Sequence, residues 1–83
     1  MIKVGIIGFG VVGQRRKKYI VKNRSYELLC ISDISFIKDF KIKKINFYQD
    51  YRKFTDHNLD AVFITLPNYL IVRLIIFLYS QPF

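Results

Sequence analysis

Gly8-Phe9-Gly10-Val11-Val12-Gly13 fits the pattern G-x-G-x-x-G, and the segments on either side give it meaning. Leading into it, Ile2-Lys3-Val4-Gly5-Ile6-Ile7-Gly8 is short, rich in β-branched residues and bounded by glycine, as a buried strand is. After it, residues 11–23 read as a helix with Val12, Tyr19 and Ile20 at i, i+7 and i+8 on its inner face. Arg16 falls close to that stripe and would have to snorkel, while Gln14, Arg15, Lys18 and Lys22 lie mostly outside. The pattern therefore sits where a strand turns into a helix.

Further along, residues 26–32 (Tyr-Glu-Leu-Leu-Cys-Ile-Ser) form a second apolar run ending at Asp33. Residues 34–44 mix apolar and basic side chains without a clean period, which allows a short helical turn at most. Residues 45–48 make a weak third strand, and residues 50–56 a short helix with Tyr51 and Phe54 turned inward. The clearest strand after the first covers residues 61–66 (Ala-Val-Phe-Ile-Thr-Leu). Pro67 stops it, and Asn68 can cap a closing helix over residues 69–79. Strands alternating with helices predict an α/β fold: a Rossmann-like parallel sheet of about four strands, in the order 3-2-1-4, with right-handed crossovers and flanking helices. On this reading the domain is incomplete.

Each glycine of the motif has its own physical task. Gly8 permits the tight turn out of the strand, and Gly10, lacking a side chain, lets backbone approach a pyrophosphate at the helix N-terminus. Gly13 brings the helix close to the sheet. Asp33 stands twenty positions past the third glycine, where a carboxylate accepts hydrogen bonds from the hydroxyls of an adenosine ribose. That charge repels a 2′-phosphate, and Ile34 follows it where a basic residue would favour one, so NAD is expected over NADP. Ser35 and Lys38 lie near enough to leave NADP possible.

Composition narrows the remaining choices. The chain has 83 residues, hydrophobic residues make up 52% of it and aromatics 17%, so it is one domain and far too apolar for disorder. Cys30 is the one cysteine, which rules out a disulfide framework and fits a reducing, cytoplasmic setting. It reads as a small buried hydrophobe. The net charge of +8 comes from Lys and Arg scattered along the chain, and the abundance of Ile, Lys, Phe, Tyr and Asn beside a single alanine matches an AT-rich coding bias, so no nucleic-acid partner is expected. Residues 61–79 are long enough to cross a bilayer, but they hold Pro67, Asn68 and Arg73, and a central Arg alone costs about 2.5–3.5 kcal/mol on insertion. A strand, turn and helix explain those three residues better than a membrane span. His57, between Asp56, Asn58 and Asp60, reads as a loop histidine.

Two blocks of the sequence resemble the N-terminal domain of the glucose–fructose oxidoreductase / inositol dehydrogenase (Gfo/Idh/MocA) family. One is Lys3-Val4-Gly5-Ile6-Ile7-Gly8-Phe9-Gly10-Val11-Val12-Gly13. The other, Leu59-Asp60-Ala61-Val62-Phe63-Ile64-Thr65-Leu66-Pro67-Asn68-Tyr69-Leu70, is close to the family's D-A-V-x-I-x-T/L-P-N-x-L run. The resemblance implies a Rossmann-like domain that binds NAD(P), with Gly8 to Gly13, Asp33 and Ile34 at the adenosine and pyrophosphate and Thr65, Leu66, Pro67 and Asn68 bordering the nicotinamide. In the family, hydride passes between the nicotinamide and a sugar, polyol or related carbon. Departures accompany the likeness. Ile71 stands where the family places a histidine, and neither the Glu-Lys-Pro motif bearing the family's lysine nor the substrate domain occurs in residues 1–83. The expectation is a partial dinucleotide-binding domain without catalytic residues, prone to self-association through an open sheet edge and the apolar helix of residues 69–79; the alternative is a non-enzymatic protein-interaction module or membrane-associated small protein using that same edge and helix.

Overall fold

The computed structural model describes residues 1–66. Five strands form one sheet: β1 (Ile2–Ile7), β2 (Tyr26–Ser32), β3 (Phe40–Ile42), β4 (Ile45–Tyr48) and β5 (Ala61–Ile64), in the order β3-β4-β2-β1-β5. Four of them run parallel, and their order, β4-β2-β1-β5, is the one the sequence predicts. Helix α1 (Val11–Lys22) links β1 to β2, and a 3-10 helix (Tyr51–Asp56) lies between β4 and β5. The closing helix expected over residues 69–79 falls outside the described residues, as do Pro67 and Asn68.

Side-chain alternation along β1 divides the core in two. Val4 and Ile6 join Ile20 of α1, Leu28, Ile31 and Phe47 in one cluster. Ile7 joins Cys30, Phe54 and Leu59 in the other, on the face covered by the 3-10 helix. Gly5 is part of this second face: a Cβ there would stand 2.8 Å from the Phe54 ring, so its absence lets that ring lie against the sheet. A register shift opposite Val4 and Gly5 pairs them with Leu28 and Cys30, which leaves Leu29 as the extra residue of a bulge.

The structure corrects the sequence reading at four places. Residues 34–44, expected to hold a helical turn at most, contain β3, which pairs antiparallel with β4. The pairing sets Phe40 against Phe47 and Ile42 against Ile45, joined by the two-residue turn Lys43-Lys44 with Lys43 at φ 55°. The inner face of α1 is not Val12–Tyr19–Ile20. Val12 and Tyr19 are exposed, and the inward stripe is Gly13, half-buried Lys17 and Ile20, at i, i+4 and i+7, so Lys17 and not Arg16 lies against the protein. The helix is turned this way because its closest approach to the sheet is made by Gly13, whose lack of side chain lets it touch the backbone of Gly8. The strand expected over residues 61–66 ends at Ile64, with Thr65 and Leu66 turned to another task. The short helix of residues 50–56 is 3-10, starting at Tyr51, with Phe54 fully buried and Tyr51 packed at the margin of its cluster.

Candidate dinucleotide site

Four chain segments meet at the C-terminal edge of the sheet: Gly8–Gly10 after β1, Asp33 after β2, Gln49–Asp50 after β4 and Thr65 after β5. From β1 the chain passes through α1 to β2 on one side, while β5 flanks β1 on the other. That divergence is the switch point at which open α/β sheets hold ligands.

Gly8 leaves the strand with φ 96°, a conformation that L side chains rarely adopt, and its N–H donates to Ser32 O at 2.8 Å. Phe9 turns its ring into the protein, edge-on to Phe36 and Phe47, each with centroids 6.0 Å away. Gly10 is the N-cap of α1 in extended conformation, and a Cβ built there would meet nothing within 4 Å. Gly13 is the opposite case, since its Cβ would lie 2.1 Å from Gly8 O. No side chain caps α1, and its first turn carries no acidic residue. The first N–H groups of a helix have no intrahelical acceptor and carry the positive end of its dipole. Open space at Gly10 in front of such a helix start fits an anionic pyrophosphate. Val11 and Val12 lie exposed at its rim.

Asp33 connects the strand end to the glycine turn. Its Oδ2 accepts from Phe9 N–H at 2.6 Å and its Oδ1 from Ser35 N–H at 2.8 Å. Burial pushes its carboxyl up, but the N–H groups of Ser35 and Phe9, with the Ser35 hydroxyl, outweigh that and hold it below the usual carboxylate value. The group is therefore ionised at neutral pH, and each oxygen keeps acceptor capacity beyond its backbone contact. Ile34, next in the chain, is exposed and lines an open cavity of about 440 Å³ together with Gln49, Asp50, Tyr51 and Arg52. Arg52 is the cation of that lining, and Asp50 holds it through Nε at 2.9 and 3.0 Å and Nη2 at 2.6 Å. Thr65 reaches from the end of β5 to the glycine turn, its hydroxyl donating to Gly8 O at 2.6 Å. Leu66 is half-buried against the cluster containing Phe54.

A family model described as an oxidoreductase family with an NAD-binding Rossmann fold matches residues 2–81. The chain belongs to this family. The search of curated proteins found no match. Family membership and the sheet agree on a Rossmann architecture, and Gly8 to Gly13 form its β1–α1 turn.

Of the twelve residues singled out from sequence, Gly8 to Gly13, Asp33 and Ile34 gather on this edge with Thr65 and Leu66 beside them, and Pro67 and Asn68 lie outside the described residues. Sequence reasoning missed Asp50 and Arg52, which the 3-10 helix brings beside Ile34; the Asp50 N-cap followed by a basic residue was the available signal. It also missed the partner of His57, which is half-buried with Nε2 2.7 Å from Tyr48 Oη rather than solvated in a loop. Asp60 bridges strands, accepting from Lys3 N–H at 2.8 Å. Cys30 is fully buried, as expected, and burial pushes its thiol up to about 12. Among the described residues there is no His, Cys, Asp and Glu cluster fit for a metal, and no helix long and apolar enough to cross a membrane.

Proposed function

We propose that this chain binds a dinucleotide, NAD in preference to NADP, along the C-terminal edge of its sheet. The observation that carries the reading is the open space at Gly10 before an uncapped helix start, beside an ionised Asp33. In this reading the first N–H groups of α1 hold the pyrophosphate, and Asp33 takes the ribose hydroxyls of the adenosine. Ile34 offers an apolar surface beside them. Asp50 neutralises Arg52, which leaves little free positive charge for a 2′-phosphate. Thr65 to Asn68 border the nicotinamide half. Once bound, the nicotinamide supplies a hydride carrier, and a sugar- or polyol-type substrate is the partner in that exchange for the complete oxidoreductase. In this reading residues 1–83 supply nucleotide binding, in the cytoplasm and without nucleic-acid or membrane partners. Self-association through the β5 edge and residues 69–79 accompanies this role.

Titration calorimetry of the purified chain with NAD, NADH and NADP tests it. Binding in the high-micromolar range or weaker, tighter for NAD than for NADP and lost in Gly10→Val, is expected. Absence of binding by the folded wild type, or binding unchanged in Gly10→Val, refutes it.

A further inference from the structure

We infer that Thr65 is a positioning residue for the dinucleotide: its hydroxyl fixes the peptide group that shapes the glycine turn. The inference rests on the dinucleotide reading above. Gly8 C=O and Phe9 N–H belong to a single peptide unit, and side chains just past the ends of the two strands flanking β1 hold its two ends. Thr65 Oγ1 donates to Gly8 O at 2.6 Å from the β5 side, and Asp33 Oδ2 accepts from Phe9 N–H at 2.6 Å from the β2 side. Thr65 Oγ1 also lies 3.3 Å from Ile7 O, but a hydroxyl has one proton, and the shorter contact takes it. Thr65 is itself anchored, its N–H donating to Ile7 O at 2.9 Å.

Space is as tight as the hydrogen bonding. A Cβ on Gly8 would come within 2.8 Å of Thr65 Oγ1, and one on Gly13 within 3.1 Å. Thr65 Oγ1 therefore stands where the end of β1, the start of α1 and the end of β5 converge. Gly8 is buried and its φ of 96° is reached at low cost only by glycine, so the peptide has a conformational freedom that holding its two ends removes. With the hydroxyl gone, Gly8 O would lose its donor inside the protein. Rotating the peptide to recover a partner would displace Phe9 and swing a carbonyl dipole toward the pyrophosphate, where it repels. Holding the peptide beforehand removes that ordering from the cost of binding.

The two properties of the side chain separate by substitution. Thr65→Val keeps shape and branching and deletes the hydroxyl; Thr65→Ser keeps the hydroxyl and deletes the methyl. Calorimetric titration of the full chain with NAD and with ADP-ribose should show affinity about tenfold lower for both ligands in Thr65→Val, because binding must then order a peptide that one part-buried hydrogen bond holds beforehand. Thr65→Ser should stay within about threefold of wild type, because the donor is retained. Equal affinity of Thr65→Val and wild type overturns the inference, as does an equal loss in both variants, which would assign the effect to methyl packing. Should Thr65→Val fail to fold, the serine variant decides: retained affinity supports the hydroxyl, and a loss beyond threefold overturns it. A folded wild type that binds neither ligand refutes the dinucleotide reading itself, and the inference falls with it.

Discussion

Gly13 and Gly10 belong to one motif but answer to different forces, and alanine separates them. At Gly13 a new Cβ would stand 2.1 Å from Gly8 O and 3.0 Å from Gly8 C, against backbone that no rotamer change can move. An ordinary contact needs more than an ångström of further separation, so α1 must lift from β1. Forcing a methyl into a packed site costs about 1–3 kcal/mol, and rigid backbone puts this site near the top of that range. Alanine's better helix propensity returns about 1 kcal/mol, for a net loss of about 2 kcal/mol. In a small domain each kcal/mol moves Tm by about 4–8 °C, so Gly13→Ala should melt roughly 8–16 °C lower. At Gly10 a Cβ meets nothing within 4 Å, and φ −77°, ψ −156° suits any residue. The reduced freedom of the unfolded chain and the poorer N-cap roughly cancel, so Gly10→Ala should hold its stability within about 0.5 kcal/mol. Its methyl nevertheless occupies the space proposed for the pyrophosphate, and NAD affinity should fall. Thermal unfolding by circular dichroism, paired with calorimetric titration, measures both quantities. A Gly13→Ala variant as stable as wild type, or a Gly10→Ala variant that binds NAD unchanged, refutes the reasoning.

Charge and burial supply two further predictions. Asp33 has a lowered pKa in the folded protein, so the stability it contributes is fully present above the ordinary carboxylate value of 3.8 and is lost as pH falls through its folded value. Asp33→Asn should flatten the acid limb of the unfolding curve and narrow the NAD over NADP preference; an unchanged acid limb or an unchanged ratio counts against its assigned role. The Cys30 thiol, pushed up to about 12 by burial, should resist a thiol-specific disulfide reagent in the folded chain and react readily in guanidinium. Comparable rates in both conditions would show that the face beneath the 3-10 helix opens easily.

The parallel strands were legible in the sequence because their signal is local. Runs such as Ile2 to Gly8 and Tyr26 to Ser32 announce a buried strand to within a residue, and the glycine motif ties the first to a helix. The α1 face was misread because a count of apolar side chains gives Gly13 no weight, although it makes the helix's closest contact with the sheet. Lys17 accordingly lies half-buried on the inward stripe while Tyr19, about 120° round the helix from Gly13, is exposed. Strand β3 escaped notice since its hairpin turns on Lys43-Lys44, with none of the Gly or Asn that left-handed backbone favours. The spacing of Asp33 was readable, but its bond to Phe9 N–H spans 24 residues, and the bond from Thr65 to Gly8 O spans 57. No window of local sequence contains either pair.

The sheet has two unlike ends. At one, β3 is three residues long and antiparallel, with exposed Lys41 in its middle and Lys43 and Lys44 at its turn, the features with which edge strands discourage further pairing. At the other, β5 closes the described sheet without comparable charge, since Ala61, Val62, Phe63 and Ile64 are all apolar. Charge on one side disfavours head-to-tail stacking of sheets, because every such contact would need the β3 end of one copy to accept another strand. The two edges of the described sheet are therefore unequal: a strand added at β3 would meet lysine charge, and one added at β5 would meet only apolar side chains.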